Sequence, residues 1–194
     1  MNDRAFWLVA GVLLLLFLKS KKRRQSDAKK IGPKTDPSKQ AKTEAPAQKV
    51  KGWTAYRELL AKKESAGKYD ARRPNSRYWG RYQLGPLARK VGGAEGVKWA
   101  QFKNDTALQD TAVKTWTTRL LKELKAQPLA VKAVTDGKAT WAQLVAMDHL
   151  TGRRATMKWL RSGQITKDAN KVSNLAWGKQ FAQFNLTELE RSSS

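Results

Sequence analysis

A mainly α-helical globular domain with one small β-hairpin, preceded by an N-terminal transmembrane helix and a disordered basic linker, is the fold class this sequence predicts. Three observations carry the prediction. From Trp53 onward, large apolar residues recur every three or four positions, the period of a helix with one buried face. The stretch 78–84 is aromatic, short and broken by a glycine, which is a strand and turn signal. An unbroken apolar run at 5–18 gives way to a charged stretch with almost no large apolar residue.

The N-terminal elements follow from that contrast. Residues 5–18, AFWLVAGVLLLLFL, would span about 21 Å as a helix at about 1.5 Å per residue, short for a bilayer unless lysines snorkel and neighbours extend it. The charges follow the apolar run and no Ala-x-Ala-like site succeeds it, so an uncleaved anchor over 1–18 is expected rather than a signal peptide. The cluster Lys19-Ser-Lys-Lys-Arg-Arg24 is of the kind that stays on the cytoplasmic side. Residues 19–51 cannot bury enough surface to offset their ordering and read as a tether, with nonspecific attraction to DNA or anionic lipid.

Composition narrows the chemistry. The chain has 194 residues, a net charge of +23, no cysteine and one histidine. Disulfides, a thiolate nucleophile and a multi-histidine metal site are thereby excluded, and neither metal nor cofactor is expected. The charge means attraction to polyanions whatever the activity.

Within the domain, 52–186, the stripe Trp53, Tyr56, Leu60 continues onto Glu64, and Gly67 is a helix stop. Partial burial and the helix dipole would raise the Glu64 pKa towards that of a general acid at neutral pH, with Lys62, Lys63 and Lys68 opposing. Gly80 reads as the turn of a hairpin facing that carboxylate. Tyr78, Trp79 and Tyr82 would supply flat platforms for sugar rings, beside the carboxamide of Gln83. Short helices are expected at 86–90 and 94–102, with Trp99 and Phe102 inside. A buried central helix at 105–125 would be capped by Asn104, with Leu108, Ala112, Trp116, Leu120 and Leu124 on its stripe and Val113 and Leu121 widening it. Pro128 starts a further helix, and Thr140-Trp-Ala-Gln143 fits a capping box for a helix to about Leu150. Closing helices at 152–159 and 175–184 precede a frayed tail at 187–194. Trp53, Trp99, Trp116, Trp141 and Trp159 fall on helical apolar faces and read as core. Arg72-Arg73 and Arg153-Arg154 read as solvated faces.

Glu64-Ser65, then Gly80-Arg-Tyr-Gln83 and Leu84-Gly85, resemble the Glu-Ser and Gly-x-x-Gln motifs of lysozyme-like lytic transglycosylases. Residues 144–152, then 158–163 and Asp168-Ala-Asn170, are similar to the third motif and closing helices of phage-type members. Those members usually carry Ala-His-Leu-Gly-Gly where this chain has Asp148-His149-Leu150-Thr151-Gly152. A glycine usual after Asp-Ala-Asn is replaced by Lys171. The resemblance covers roughly 53–184.

It implies an α+β lysozyme-like domain that cuts the β-1,4 bond between N-acetylmuramic acid and N-acetylglucosamine in peptidoglycan, forming a 1,6-anhydro end. Glu64 would be the single catalytic acid/base. Ser65, Tyr78, Gly80, Tyr82, Gln83, Asp148 and His149 would bind the glycan. Hydrolysis would need a second carboxylate, for which Asp70 and Asp148 are nearest in sequence. Because the basic cluster belongs inside and the substrate outside, either the orientation rule is overridden in a bacterial inner membrane, or the protein sits in the internal membrane of a virion and opens the wall during infection. The competing readings are a non-enzymatic, membrane-tethered virion protein that binds nucleic acid, and a degenerate domain that holds glycan without cutting it.

Overall fold

A computed structural model describes residues 51–191; the expected membrane anchor at 1–18, all of the expected linker at 19–51 except Lys51, and the last three residues lie outside that range. No helix among the described residues is long and apolar enough to cross a membrane. Helices dominate, in the order α1 Trp53–Ser65, α2 Pro86–Val91, α3 Trp99–Phe102, α4 Thr106–Lys125, α5 Pro128–Thr135, α6 Trp141–Thr151, α7 Arg153–Ser162, α8 Asn174–Lys179 and α9 Thr187–Arg191. Extended structure is confined to isolated bridges among the described residues. The expected hairpin is a single antiparallel pair, Trp79 with Leu84, closed by the turn at 80–83.

The helix at the centre is α6, not the longer α4. Every residue from Ala142 to Asp148 is buried, and α4, α7 and α8 pack around it. Helix α4 keeps one face in solvent, as its alternation of buried and exposed positions requires. Its buried stripe follows most of the expected line, with two departures. Ala112, Val113, Leu120, Leu121 and Leu124 are buried as expected, whereas Leu108 and Trp116 are only partly covered and the polar Gln109 and Thr117 are buried in addition. The cap is Asp105, whose carboxylate accepts from the Leu108 N–H at 2.8 Å, in place of Asn104. At α6 the Thr140 hydroxyl accepts from the Gln143 N–H at 3.2 Å, as expected of an N-cap threonine.

Helix α1 is fixed by aromatic packing. Tyr56 is fully buried, with ring centroids 5.7 Å from Trp53, 4.9 Å from Phe181 and 5.9 Å from Phe184. Such pairs add about 0.5–1.5 kcal/mol each beyond area burial, so the axis of α1 is firmly set against the C-terminal turns. The end of α1 is equally defined. Ala66 turns left-handed at φ 56, and the N–H groups of Ala66 and Gly67 return to the Lys62 and Ala61 carbonyls at 3.2 and 3.0 Å. The stretch expected to fray from 187 is ordered as α9 as far as Arg191, because Leu189 is buried in the core.

Candidate active site

Glu64 lies in the last turn of α1, on the continuation of the Tyr56 and Leu60 face. Its side chain is 17% exposed. Burial pushes its carboxyl up to about 7, the negative charge of Asp168 adds to the rise, and Arg73 opposes it. Lys62, Lys63 and Lys68, expected to supply that opposition, are exposed to solvent, and the opposing charge comes from Arg73 instead.

Across from it, His149 Nε2 lies 3.6 Å from Glu64 Oε1, with the imidazole only 7% exposed. Burial pushes the His149 pKa down to about 4, the Tyr82 backbone acting the other way, so the ring is neutral at pH 7. The contact is therefore neither an ion pair nor, at that distance, a hydrogen bond. It places an uncharged imidazole against a carboxyl that burial has pushed up to about 7. His149 Nδ1 has no hydrogen-bond partner among the described residues.

Asp148 goes elsewhere. One residue along a helix is a rotation of about 100°, and the Asp148 carboxylate accepts from Arg153 Nε at 2.6 Å while Arg153 Nη2 reaches Glu123 at 3.1 Å. Burial raises its pKa to about 6 against the pull of Arg153. Its side chain is 2% exposed, so glycan contact by Asp148 is not what this geometry offers, and the residue ties α6 to α7 and α4.

The turn at 80–83 is joined to α1 by Ser65, whose hydroxyl donates to the Arg81 carbonyl at 2.7 Å. This bond sets the turn beside Glu64 and commits Ser65 to structure. Gln83 is left-handed at φ 46, and its Nε2 donates to the Ala71 and Gly80 carbonyls at 3.1 and 2.9 Å, which leaves Oε1 as the atom able to meet a ligand. Gly80 is buried at φ 75, and a Cβ there would meet Gln109 Oε1 at 2.1 Å. The glycine is needed for close packing, not for sugar contact.

Of the aromatic platforms, Tyr78 is 48% exposed. Trp79 stands partly buried with its ring edge-on to Trp99 at 5.7 Å. Tyr82 is a correction: its side chain is fully buried and its hydroxyl donates to Asp110 Oδ1 at 2.6 Å, so it cannot hold a sugar here.

Sequence reasoning missed the scaffold that sustains the turn. Asp110 accepts from Tyr82, from the Tyr69 hydroxyl at 3.1 Å and from Arg57 at 3.1 Å. The buried carboxamide of Gln109 accepts from the Arg81 N–H at 2.8 Å and donates to the Tyr69 and Phe102 carbonyls at 3.1 and 2.8 Å. A glutamine on the same face as Val113 was the available signal. Asp168 was also missed as an electrostatic neighbour. Its Oδ1 accepts from the Val172 N–H at 2.7 Å and its Oδ2 from Asn170 Nδ2 at 3.3 Å, so both oxygens serve their own loop. Asp70 is exposed. Among the described residues, no three of His, Asp and Glu converge as metal ligands would. No protein-family model, curated protein or solved structure matches the chain.

Proposed function

We propose that the protein is a membrane-anchored, lysozyme-like peptidoglycan lytic transglycosylase in which Glu64 is the single acid/base. The observation that carries the reading is a half-dry carboxyl poised near neutrality against a neutral imidazole, with each nearby candidate carboxylate engaged elsewhere or exposed. In the first step protonated Glu64 gives its proton to the glycosidic oxygen as the bond from the muramic C1 breaks, and the substrate's acetamido group steadies the cationic carbon. In the second, the Glu64 carboxylate takes the proton of the muramic C6 hydroxyl while that oxygen bonds to C1. No water is consumed, and Glu64 ends as it began. A group that is acid and then base needs a pKa close to the working pH, which burial supplies here.

His149 would keep that face of the carboxyl dry without competing for its proton, and Gln83 Oε1 and Tyr78 would contact the glycan. Hydrolysis ranks second because Asp168, the carboxylate that acts on Glu64, has both oxygens bonded within its own loop. The anchor and basic tether would hold the enzyme at a virion internal membrane or a bacterial inner membrane. Zymography of the full chain beside Glu64→Gln tests the reading. Wild type should clear embedded peptidoglycan and the variant should lose about 10²–10⁴ of the rate; equal clearing by the two would refute the role of Glu64.

A further inference from the structure

Four arginines in one short segment lack what the other site arginines have. Arg57, Arg81 and Arg153 each hold a carboxylate within ion-pair distance. Among the described residues no such pair forms at Arg72, Arg73, Arg77 or Arg89, although three of these are exposed and could reach for one. Two of them are brought together. Arg89 lies 3.7 Å from the Trp79 ring centroid, pinned by Nη1 donating to the Arg77 and Leu84 carbonyls at 2.8 and 2.7 Å. Arg72 lies 5.2 Å from the same centroid and 5.7 Å from that of Trp99. Burial and the charge of Arg72 both disfavour the charged form of Arg89, the mark of like charges gathered without a counter-charge.

The segment borders Glu64 through Arg73. Arg73 Nη1 donates to Asn170 Oδ1 at 3.4 Å, in the loop that carries Asp168, and its charge acts on Glu64. The Ala71 carbonyl, one residue before Arg72, holds both the Gly80 N–H and the Gln83 carboxamide. We propose that Arg72, Arg73, Arg77 and Arg89 form an anion subsite beside Glu64 that takes the carboxylates of peptide stems, so that stem-bearing glycan binds more tightly than bare glycan. The inference rests on the reading of Glu64 as a peptidoglycan-cutting residue. Guanidinium forks match carboxylates in geometry and charge. A nucleic-acid strand fits less well, because it needs open ring faces for successive bases, whereas Trp79 carries Arg89 on its ring and has Trp99 and Phe102 at 5.7 and 6.0 Å, which leaves Tyr78, with Arg77 at 5.9 Å, as the exposed ring of the segment.

The test is co-sedimentation of the full chain in detergent, carrying Glu64→Gln so that cutting does not interfere. The probes are purified sacculi, the same sacculi stripped of stems by an amidase, and a short thymidine oligonucleotide. At low salt the stem-bearing wall should bind about threefold to tenfold more tightly than the stripped wall, the sum of a few exposed charge pairs. The preference should fade as salt rises. Adding Arg72→Gln and Arg77→Gln, which give up ring contacts with Trp79, Trp99 and Tyr78 but no side-chain hydrogen bond within the described fold, should abolish it with the melting temperature lowered by no more than about 5 °C. Equal binding to the two walls, or a preference that survives both substitutions, overturns the subsite. Loss of oligonucleotide binding alone in that variant overturns it in favour of nucleic acid. Zymography of the parental chain separates the two layers: clearing without stem preference refutes only the subsite, and stem preference without clearing refutes only the enzyme.

Discussion

Replacing Glu64 by glutamine should stabilise the protein in alkali while disabling it. Burial lifts the carboxyl from 4.5 to about 7 in the folded chain, so between those values the native state holds a proton that the unfolded state has released. Native stability therefore falls as pH rises from about 4.5 to about 7, and the loss is complete above that window. At about 1.4 kcal/mol per pH unit the loss amounts to about 3 kcal/mol. Glutamine keeps the shape and never ionises. Thermal melts of the full-length wild type and Glu64→Gln at pH 4 and pH 9 should differ by almost nothing in acid and by about 5–10 °C in alkali, the variant being the more stable. Groups shared by the two proteins, His149 included, largely cancel in the difference. A gap that is constant with pH, or a variant less stable at pH 9, would show that the carboxyl is well solvated and would remove the reason for calling it a catalytic acid.

Charge changes near Glu64 should move the pH profile of wall cutting in opposite senses. Activity should decline above about pH 7 as Glu64 loses its proton; Arg73→Gln removes the charge that lowers its pKa and should shift the decline to higher pH, while Asp168→Asn should shift it lower. A rate assay on labelled sacculi across pH reads both, and parallel shifts would contradict the assignment. Gly80→Ala would force a Cβ to within 2.1 Å of Gln109 Oε1 at φ 75, costing about 2–4 kcal/mol in denaturant unfolding; a change below about 0.5 kcal/mol would mean that the turn is loose. Gln109→Ala leaves the Arg81 N–H and the Tyr69 and Phe102 carbonyls without their partner and should cost about 2–4 kcal/mol, read the same way.

The helices were legible because their signals are local. The step from Trp53 to Tyr56 to Leu60 placed Glu64 on a buried face, and proline at the starts of α2 and α5 marked both N-termini. What escaped depends on pairs far apart in the chain. Tyr82 looks like a platform until Asp110, 28 residues away, accepts its hydroxyl. Asp148 and His149 looked equivalent by spacing, yet Arg153 takes one and Glu64 faces the other. The expected hairpin shrank to one bridge because Gln83, turned left-handed, spends its amide nitrogen closing the turn instead of extending a strand. Segment 94–98 formed no helix: Gly96 at φ 76 interrupts it, and α3 begins only at Trp99.

The proposed reaction turns on one proton passed out and taken back without water. Mass spectrometry of the muropeptides that the full chain releases from purified sacculi tests that most directly. Anhydro products, one water lighter than hydrolysed ones, should appear with wild type and vanish with Glu64→Gln. Hydrolysed products from wild type, or anhydro products undiminished in the variant, would contradict it.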